Sequence, residues 1–274
     1  MSSDTIRTTG IGETLLSTHE LQVSYGRGES EVRILDGVDL AVRAGEFVCV
    51  VGPSGSGKTT LLRCVSGLQA PTGGSTVFEG VEVTEPPKKM AVVFQDYSRS
   101  LLPWMRVAAN VELPLRKLFP KAERQRRVEA ALASVGLGGK GHLYPWQLSG
   151  GMQQRVAIAR GLAYQPDVLL MDEPFAAVDA QTRIDLEDLV LRVRDEYDMT
   201  VLFVTHDIDE AVYLADRVVV LSGAPTVVAE DIAVDLPRPR DQLATKALPR
   251  YAELRNRVFS LIQQAKSHAM IDQD

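Results

Sequence analysis

The chain has 274 residues, of which 45% are hydrophobic and 24% are charged, and its formal net charge is -6. A chain of this size and composition can fold into one or two globular domains with a substantial core. The acidic balance argues against a nucleic-acid partner, because phosphate backbones attract an excess of Lys and Arg. No apolar run approaches the ~18 residues that span a bilayer, and residues 1–20 lack a signal-peptide pattern. We therefore expect the chain to remain in the cytoplasm.

Strand-forming residues separated by turn residues fill residues 14–46, which predicts a small antiparallel sheet. Buried strands are predicted at five short apolar runs: 46–52, 92–95, 167–174, 200–207 and 217–223. Helical spacing precedes the fourth run, at Leu186, Leu189, Val190, Val193 and Tyr197. Because strands and helices alternate, we expect an α/β fold with a mostly parallel sheet.

Residues 103–165 interrupt this alternation with mostly helical pattern, punctuated by prolines, and predict a helical insertion. After LPRPRD (236–241), apolar residues recur at helical spacing and predict an amphipathic C-terminal helix that packs on its own domain: Leu248, Tyr251, Leu254, Val258 and Leu261. We therefore divide the chain into a nucleotide-binding core with the antiparallel sheet (16–102), a helical subdomain (103–165), the second part of the core (166–236) and a C-terminal tail (237–274).

The stretch GPSGSGKTT directly follows the predicted strand at 46–52 and matches the phosphate-loop pattern GxxxxGK[ST]. Glycines allow the backbone amides to surround nucleotide phosphates, the ammonium of Lys58 can reach the β and γ phosphates, and the hydroxyl of Thr59 can bind Mg²⁺. The candidate nucleotide-binding residues here are Gly52, Pro53, Ser54, Gly55, Ser56, Gly57, Lys58, Thr59 and Thr60. A mere glycine turn is the plainer alternative.

Polar side chains end three of the predicted strands, where open α/β sheets bind ligands. Asp172 and Glu173 are adjacent on a strand, so their side chains point in opposite directions and should have different roles. Asp172 is the better Mg²⁺ ligand and Glu173 the better general base for an attacking water. His206 is a candidate contact of the γ-phosphate, and the amide of Gln95 can contact both Mg²⁺ and the attacking water. The alternatives are that the two carboxylates have only a structural role at the end of the strand, and that His206 binds no ligand.

A second turn suited to phosphate lies far from the first, in LSGGMQQR at residues 148–155. A serine and two glycines precede a predicted helix, whose first amides carry unsatisfied donors and a partial positive charge. The chain therefore contains two turns of the kind that binds phosphate.

Six short motifs occur along the chain in this order: GPSGSGKTT, VVFQ, LSGGMQQR, VLLMDEP, AAVD and VTHD. In these motifs and in their order the chain resembles the ABC-type ATPases, which are P-loop NTPases that energise transporters. The resemblance implies two subunits joined head to tail, with ATP and Mg²⁺ held between the phosphate loop of one and the LSGG turn of the other. It implies further nucleotide-contacting residues and a residue that couples the two sites: Tyr25 on adenine, Ser149, Gly150, Gly151 and Gln154 in the second turn, and Asp179. Met152 and Val178 depart from the family pattern of Gln and Leu.

FQDYSRSLLPWMRVAANV (94–111) and LPRPRD resemble the ATPases of nitrate, sulfonate and taurine importers. This implies an ATP-hydrolysing importer subunit for a small anionic solute, on the cytoplasmic face of a prokaryotic cell membrane. The implied partners are a second copy, integral membrane permease subunits and an extracytoplasmic solute-binding protein, without nucleic acid. An apolar cluster follows Gln95, where the family docks its permease, although packing of the helical insertion would also explain it: Tyr97, Leu101, Leu102 and Trp104.

Two other functions fit parts of the sequence. One is an ABC-type ATPase that acts mechanically on DNA or ribosomes, but such proteins need long coiled coils or two cassettes in one chain, and neither a sustained heptad run nor a second GxxxxGK[ST] occurs here. The other is a P-loop kinase, which would leave LSGGMQQR without a role.

Overall fold

Two sheets and the helices around them form the fold of the computed structural model, which describes residues 12–95 and 100–271. The strands are β1 (Thr14–Tyr25), β2 (Val32–Arg43), β3 (Phe47–Val51), β4 (Gly73–Phe78), β5 (Val81–Glu82), β6 (Met90–Val93), β7 (Val168–Asp172), β8 (Thr200–Val204), β9 (Arg217–Leu221) and β10 (Val228–Ala233). The α-helices in the described ranges are α1 (Lys58–Val65), α2 (Val107–Glu112), α3 (Lys121–Ser134), α4 (Gly150–Ala163), α5 (Ala180–Tyr197), α6 (Ile208–Leu214) and α7 (Pro249–Ile271).

The larger sheet has the order β10-β9-β3-β8-β7-β6, and its strands from β9 to β6 run parallel. Strands β3, β7 and β8 are buried along their whole length because helices cover both faces of the sheet. This confirms the predicted α/β fold with a mostly parallel sheet. Because the strands are parallel, their carboxyl ends meet at one edge, with Asp172 of β7 opposite Val204 of β8.

The smaller sheet is antiparallel, as predicted for the N-terminal part of the chain, and has the order β2-β1-β4-β5. Its apolar side chains share a core with one face of the large sheet and with α1. Val23 and Leu35 are buried there against Leu61 and Leu62 of α1. The sheet therefore supports the helix that follows the phosphate loop.

Helices α2, α3 and α4 lie within residues 103–165 and pack on one another. Asn110 of α2 is fully buried. Its side-chain amide accepts from the backbone N–H of Leu102 and donates to the carbonyl of Leu102. Arg160 of α4 donates to the carbonyl of Ser100 at 2.6 Å. These bonds hold Leu102 to α2 and Ser100 to α4, the helix that begins at the LSGG turn.

The C-terminal helix α7 packs against α6 and β9 through an apolar stripe that includes Tyr251, Leu254 and Val258. This confirms the amphipathic helix predicted from the sequence. Tyr251 and Arg255 also hydrogen-bond to the carboxylate of Asp209 in the first turn of α6. In the part of the chain that the structure describes, no helix is both long and apolar enough to cross a membrane.

Candidate nucleotide-binding and hydrolysis site

The phosphate loop connects β3 to α1, as its pattern predicted. Gly57 has a left-handed backbone with φ 72°, and a Cβ there would lie 2.7 Å from Cγ2 of Ile34. A Cβ at Gly52 would lie 2.8 Å from Oγ of Ser56. Both positions therefore require glycine, because any side chain would be strained or would collide with its neighbours. The first N–H groups of α1 have no acceptor within the helix, so they are available to an anion bound in the loop.

Lys58 lies at the start of α1, and its Nζ donates to the carbonyls of Gly52 and Pro53 at 3.0 and 2.9 Å. Burial lowers the pKa of Lys58, while the carboxylates of Glu173 and Asp172 act in the opposite direction. The loop thus contains one buried ammonium group facing two carboxylates. This charge arrangement suits a site that binds phosphate and a divalent cation together.

Asp172 ends β7, is 5% exposed, and accepts a hydrogen bond from the hydroxyl of Thr59 at 3.2 Å. Burial raises the pKa of Asp172, and the Thr59 hydroxyl opposes that shift. A buried carboxylate beside a hydroxyl is an all-oxygen pair of the kind that Mg²⁺ prefers. The residues therefore fit the metal role predicted for them, and a bound cation would offset the cost of burying the charge.

Glu173 brings the other predicted catalytic residues together at one oxygen atom. Its Oε2 accepts from Nε2 of Gln95 at 3.2 Å and lies 2.9 Å from Nδ1 of His206. The backbone of Glu173 is left-handed, with φ 42°, and its N–H donates to the carbonyl of Val204 at 2.8 Å. This conformation is costly for a residue with a Cβ, and such strain collects at functional sites.

A cavity of about 590 Å³ is bordered by both the phosphate loop and Glu173. It is lined by Tyr25, Ile34, Ser54, Gly55, Gly57, Lys58, Thr59, Thr60, Glu173 and His206. The ring of Tyr25 is half-exposed, and its hydroxyl bonds to Gln69. Tyr25 lines this cavity, and the stacking on adenine that the family resemblance implies for it stays a prediction.

A larger cavity of about 770 Å³ lies at the opposite edge of the sheet, before β3, β7 and β8 begin. Its walls include Glu79, Asp167 and Asp198 but none of the predicted site residues. Volume alone therefore does not locate the chemistry, and we place the site in the smaller cavity, where the motifs meet.

The LSGG turn forms the N-terminus of α4, and Oγ of Ser149 caps it by accepting from the N–H of Met152 at 3.3 Å. Ser149 and Gly150 are exposed. A Cβ on Gly151 would lie 2.3 Å from Cγ2 of Thr182, so only glycine fits at that contact. Among the described residues that line the 590 Å³ cavity, none belongs to this turn.

Gln154 and Asp179, two residues that the family resemblance implies for the site, differ in exposure. Gln154 is 0% exposed inside the fold, and neither polar atom of its amide has a hydrogen-bond partner within residues 12–95 and 100–271. The nucleotide contact expected for Gln154 stays a prediction. Asp179 is exposed and caps α5, accepting from the N–H and the hydroxyl of Thr182 at 3.0 and 2.7 Å.

The apolar cluster predicted after Gln95 is divided by the structure. Leu101 is 2% exposed and belongs to the core around the helical segment, whereas Trp104 is 72% exposed. Tyr97 lies outside the described residues. The plainer interpretation, internal packing, is therefore correct for Leu101, and Trp104 is left as the exposed member of the cluster.

A buried group of charges beside His206 was not predicted. Glu210 of α6 is 4% exposed and accepts from the hydroxyl of Thr205 at 2.6 Å. Burial, together with the charges of Asp207 and Glu187, raises the pKa of Glu210 to about 7, although Thr205 and Arg183 act in the opposite direction. Spacing could not reveal this group, because its members come from β8, α5 and α6.

Replacing Glu210 with Gln is expected to remove a pH dependence of stability. A carboxyl whose pKa is raised by folding stabilises the fold below its unfolded pKa and loses that contribution as pH rises through the folded pKa. Between about pH 4.5 and 7, the free energy of unfolding of the wild type should fall relative to the variant by about 2 to 3 kcal/mol. Urea unfolding of both proteins at several pH values measures this. Parallel pH profiles would contradict it, and Glu129→Gln at an exposed position is the control.

The parallel sheet, the phosphate loop and the carboxylate pair at the strand ends define the class of P-loop nucleoside triphosphatases. The chain belongs to the ABC transporter family, whose model matches residues 35–176. It is 48% identical over 235 residues to an uncharacterised ABC transporter ATP-binding protein, MJ0412, of Methanocaldococcus jannaschii, covering 85% of this chain and 86% of that protein. The chain is thus an ATP-binding transporter subunit that hydrolyses ATP.

Other relatives carry solute names. The nitrate import ATP-binding protein NrtD of Synechococcus elongatus is 43% identical over 238 residues, covering 85% of this chain and 86% of that protein. The bicarbonate transport ATP-binding protein CmpC of the same species is 44% identical over 243 residues, which are 87% of this chain but 36% of CmpC.

A solved structure has the same fold. It is the dimeric, post-hydrolysis state of the ATP-binding cassette MJ0796 bound to ADP and Pi, with a TM-score of 0.70 and 33% identity. The match covers 80% of this chain and 99% of that one.

Proposed function

We propose that the chain is the ATPase subunit of an importer and works as a homodimer on the cytoplasmic face of the membrane, beneath a separate permease. The observation that carries this proposal is the separation of the two phosphate-binding turns. The LSGG turn is exposed and well formed, yet it does not line the cavity of its own phosphate loop. A second copy, joined head to tail, would place that turn on the nucleotide of its partner.

In this dimer each ATP lies between two chains. Residues 52–60 surround the phosphates, and Tyr25 stacks on adenine. Ser149 and Gly151 of the other chain donate from the N-terminus of α4 to the γ-phosphate. Asp179, at the start of α5, lies at the boundary and couples the two sites. The dimeric cassette MJ0796, bound to ADP and Pi, supports a dimer of this kind.

Hydrolysis in the proposed site is in-line attack of water on the γ-phosphate. Glu173 accepts the proton of the water, Gln95 orients the water, and His206 contacts the γ-phosphate. Thr59, Asp172 and Gln95 would hold Mg²⁺, which when bound neutralises charge on the phosphate oxygens. Lys58 stabilises the charge that develops on the β and γ phosphates.

Trp104 is the proposed contact with the permease. Its ring is 72% exposed at the edge of the helical segment, beside Arg106, which lies over the ring of Tyr144. Tyr144 in turn stacks on the exposed Trp146 at 6.0 Å between ring centroids. Exposed aromatic rings of this kind are enriched at protein interfaces, where they bury a large area.

Trp104→Ser is expected to weaken assembly with the permease by at least about tenfold, since truncating a central aromatic side chain commonly costs about 2 kcal/mol of binding. ATP hydrolysis of the isolated chain should stay within about twofold, because Trp104 is not among the described residues that line the 590 Å³ cavity. Affinity for detergent-solubilised permease measures this. Leu243→Ser, at a position 85% exposed in the tail, is the matched control. Normal assembly by Trp104→Ser would place the docking surface elsewhere.

The solute is proposed to be a small anion of the nitrate or bicarbonate type, supported by the names of relatives of this chain. An uptake assay in cells that lack the gene tests the importer function. Wild-type chain should restore uptake of one of these anions, and Glu173→Gln should not. If neither restores uptake although both assemble, the importer assignment fails. An ATPase acting on DNA or ribosomes, or a kinase, is not favoured, since each leaves the second turn or the transporter relatives unexplained.

A further inference from the structure

His206 is held mainly through its backbone neighbours. Its side chain is 60% exposed, and within residues 12–95 and 100–271 its recorded partner is Glu173. On one side, the N–H of Thr205 donates to the carbonyl of Val50 in β3 at 3.1 Å. On the other side, the N–H of Asp207 donates to Oγ1 of Thr205 at 3.0 Å. The position of the imidazole therefore depends on the positions of Thr205 and Asp207.

Asp207 is fixed by two sets of contacts. Its Oδ1 caps α6 by accepting from the N–H groups of Asp209 and Glu210 at 2.9 and 3.2 Å. Its Oδ2 accepts from Nη1 of Arg183 on α5 at 2.9 Å. Nε of Arg183 also lies 3.4 Å from Oε1 of Glu210. One guanidinium thus contacts two acidic side chains at the start of α6.

The backbone of Arg183 connects it to the turn at Asp179. The N–H of Arg183 donates to the carbonyl of Asp179 at 2.9 Å in the first turn of α5. The neighbouring Thr182 bonds to the Asp179 carboxylate and lies against Gly151 of the LSGG turn, where a Cβ on Gly151 would lie 2.3 Å from the Thr182 methyl group. The first turn of α5 therefore contacts both the LSGG turn and the loop that carries His206.

We propose that Arg183 is a positioning residue for ATP hydrolysis. It holds the loop that carries His206 in place beside Glu173, and it connects that loop to the turn that carries Asp179. The proposal rests on the roles proposed above for Glu173, His206 and the LSGG turn. Through Arg183, movement of α5 on contact with a second chain would reach His206 of the same chain. Arg183 itself does not line the cavity, so it acts through Asp207 and Glu210.

Removal of Arg183 should leave the fold intact. Helix α6 stays anchored at Asp209 by Tyr251 and Arg255, and its buried side chains remain in the core. The side chain of Arg183 is 32% exposed, so water can partly solvate the two carboxylates. The effect should therefore appear in catalysis more than in stability.

The test compares Arg183→Gln with Arg192→Gln, a control on the same helix, where the arginine is exposed and donates to the carbonyl of Ser134. Arg183→Gln should lower kcat by about tenfold to a hundredfold, the cost of a misplaced catalytic group, with KM for ATP within about twofold. Arg183→Lys should recover part of kcat, because an ammonium keeps the charge but cannot bridge both carboxylates equally well. Arg192→Gln should match the wild type.

The ring nitrogens of His206 give a second readout that a purely structural role would not move. The chain has 4 histidines, so the His206 signal in a ¹⁵N spectrum can be assigned by its loss in His206→Ala. We expect this signal to shift in Arg183→Gln, and to shift less in Arg183→Lys and not at all in Arg192→Gln. If Arg183→Gln does not fold, Arg183→Lys supplies both readouts.

A wild-type kcat in Arg183→Gln, or a lowered kcat with an unshifted His206 signal, would overturn the positioning role. Failure of the underlying mechanism is recognised separately, since Glu173→Gln would then keep hydrolysing ATP. If Glu173→Gln stalls and Arg183→Gln does not, the site is correct and the positioning role is wrong.

Discussion

Glu173→Gln is expected to slow ATP hydrolysis by about 100- to 10,000-fold, the usual contribution of a general base, and to leave ATP binding intact. The amide cannot take a proton from the attacking water, while the phosphate loop and Lys58 are unchanged. Its oxygen can still accept from Gln95 or His206, so the geometry around Oε2 is largely kept. An ATP-bound dimer should therefore accumulate. Phosphate release and gel filtration with ATP measure the two effects.

Glu79→Gln is a matched control, because Glu79 is also a non-glycine residue with a left-handed backbone, at φ 50°, and it lies at the opposite edge of the sheet. It should hydrolyse ATP at the wild-type rate. Turnover by Glu173→Gln within a few-fold of wild type would mean that the base lies elsewhere.

Lys58→Ala is expected to weaken ATP binding by about 100-fold, since it removes a charged hydrogen-bond donor from the phosphates, worth about 3 kcal/mol. Equilibrium binding of ATP to the isolated chain measures this loss. Because Lys58 is buried beside two carbonyls and acts on two carboxylates, its loss also removes a positive charge that opposes the negative charge of Asp172 and Glu173. ATP binding at wild-type affinity would exclude Lys58 from the phosphate site.

Ser149→Arg gives the complementary defect. The hydroxyl of Ser149 caps α4 at an exposed position, so the substitution costs about 1 kcal/mol of capping and places a bulky side chain over the turn. Its own phosphate loop is untouched, so the isolated chain should bind ATP as tightly as wild type. It should fail to trap ATP in a dimer, because the turn can no longer close on the partner's nucleotide.

The sequence was sufficient to predict the five parallel strands of the large sheet and the residues that follow them, whereas β4, β5 and β10 were not predicted. Runs such as 46–52 and 167–174 are apolar throughout because both faces of the sheet are covered, and the parallel order then brings Asp172, Glu173 and His206 to one edge. The phosphate loop could also be predicted from the sequence, because its glycines are required by the local backbone geometry.

Long-range packing could not be read in the same way. Leu101 and Trp104 look alike as apolar residues in one stretch, yet one is in the core and the other is exposed. Gln154 has the polarity of a binding residue and is buried. The contacts of Arg183 with Asp207 and Glu210 depend on how α5 packs beside α6, and no spacing along the chain encodes that.

The central claim is that each ATP lies between the phosphate loop of one chain and the LSGG turn of another. It is tested most directly by mixing Lys58→Ala with Ser149→Arg and measuring occluded ATP in isolated heterodimers. Each homodimer has a defect in both sites. In the heterodimer, the shared-site arrangement puts both defects into one site and leaves the other with an intact Lys58 and an intact Ser149.

We therefore expect one occluded ATP for each heterodimer and none for either homodimer. Hydrolysis by the recovered site can depend on its neighbour, so occlusion is the readout, and heterodimer formation is verified with two affinity tags. If the LSGG turn served the nucleotide of its own chain, every site in the mixture would keep one defect. Heterodimers that occlude no ATP would contradict the shared site.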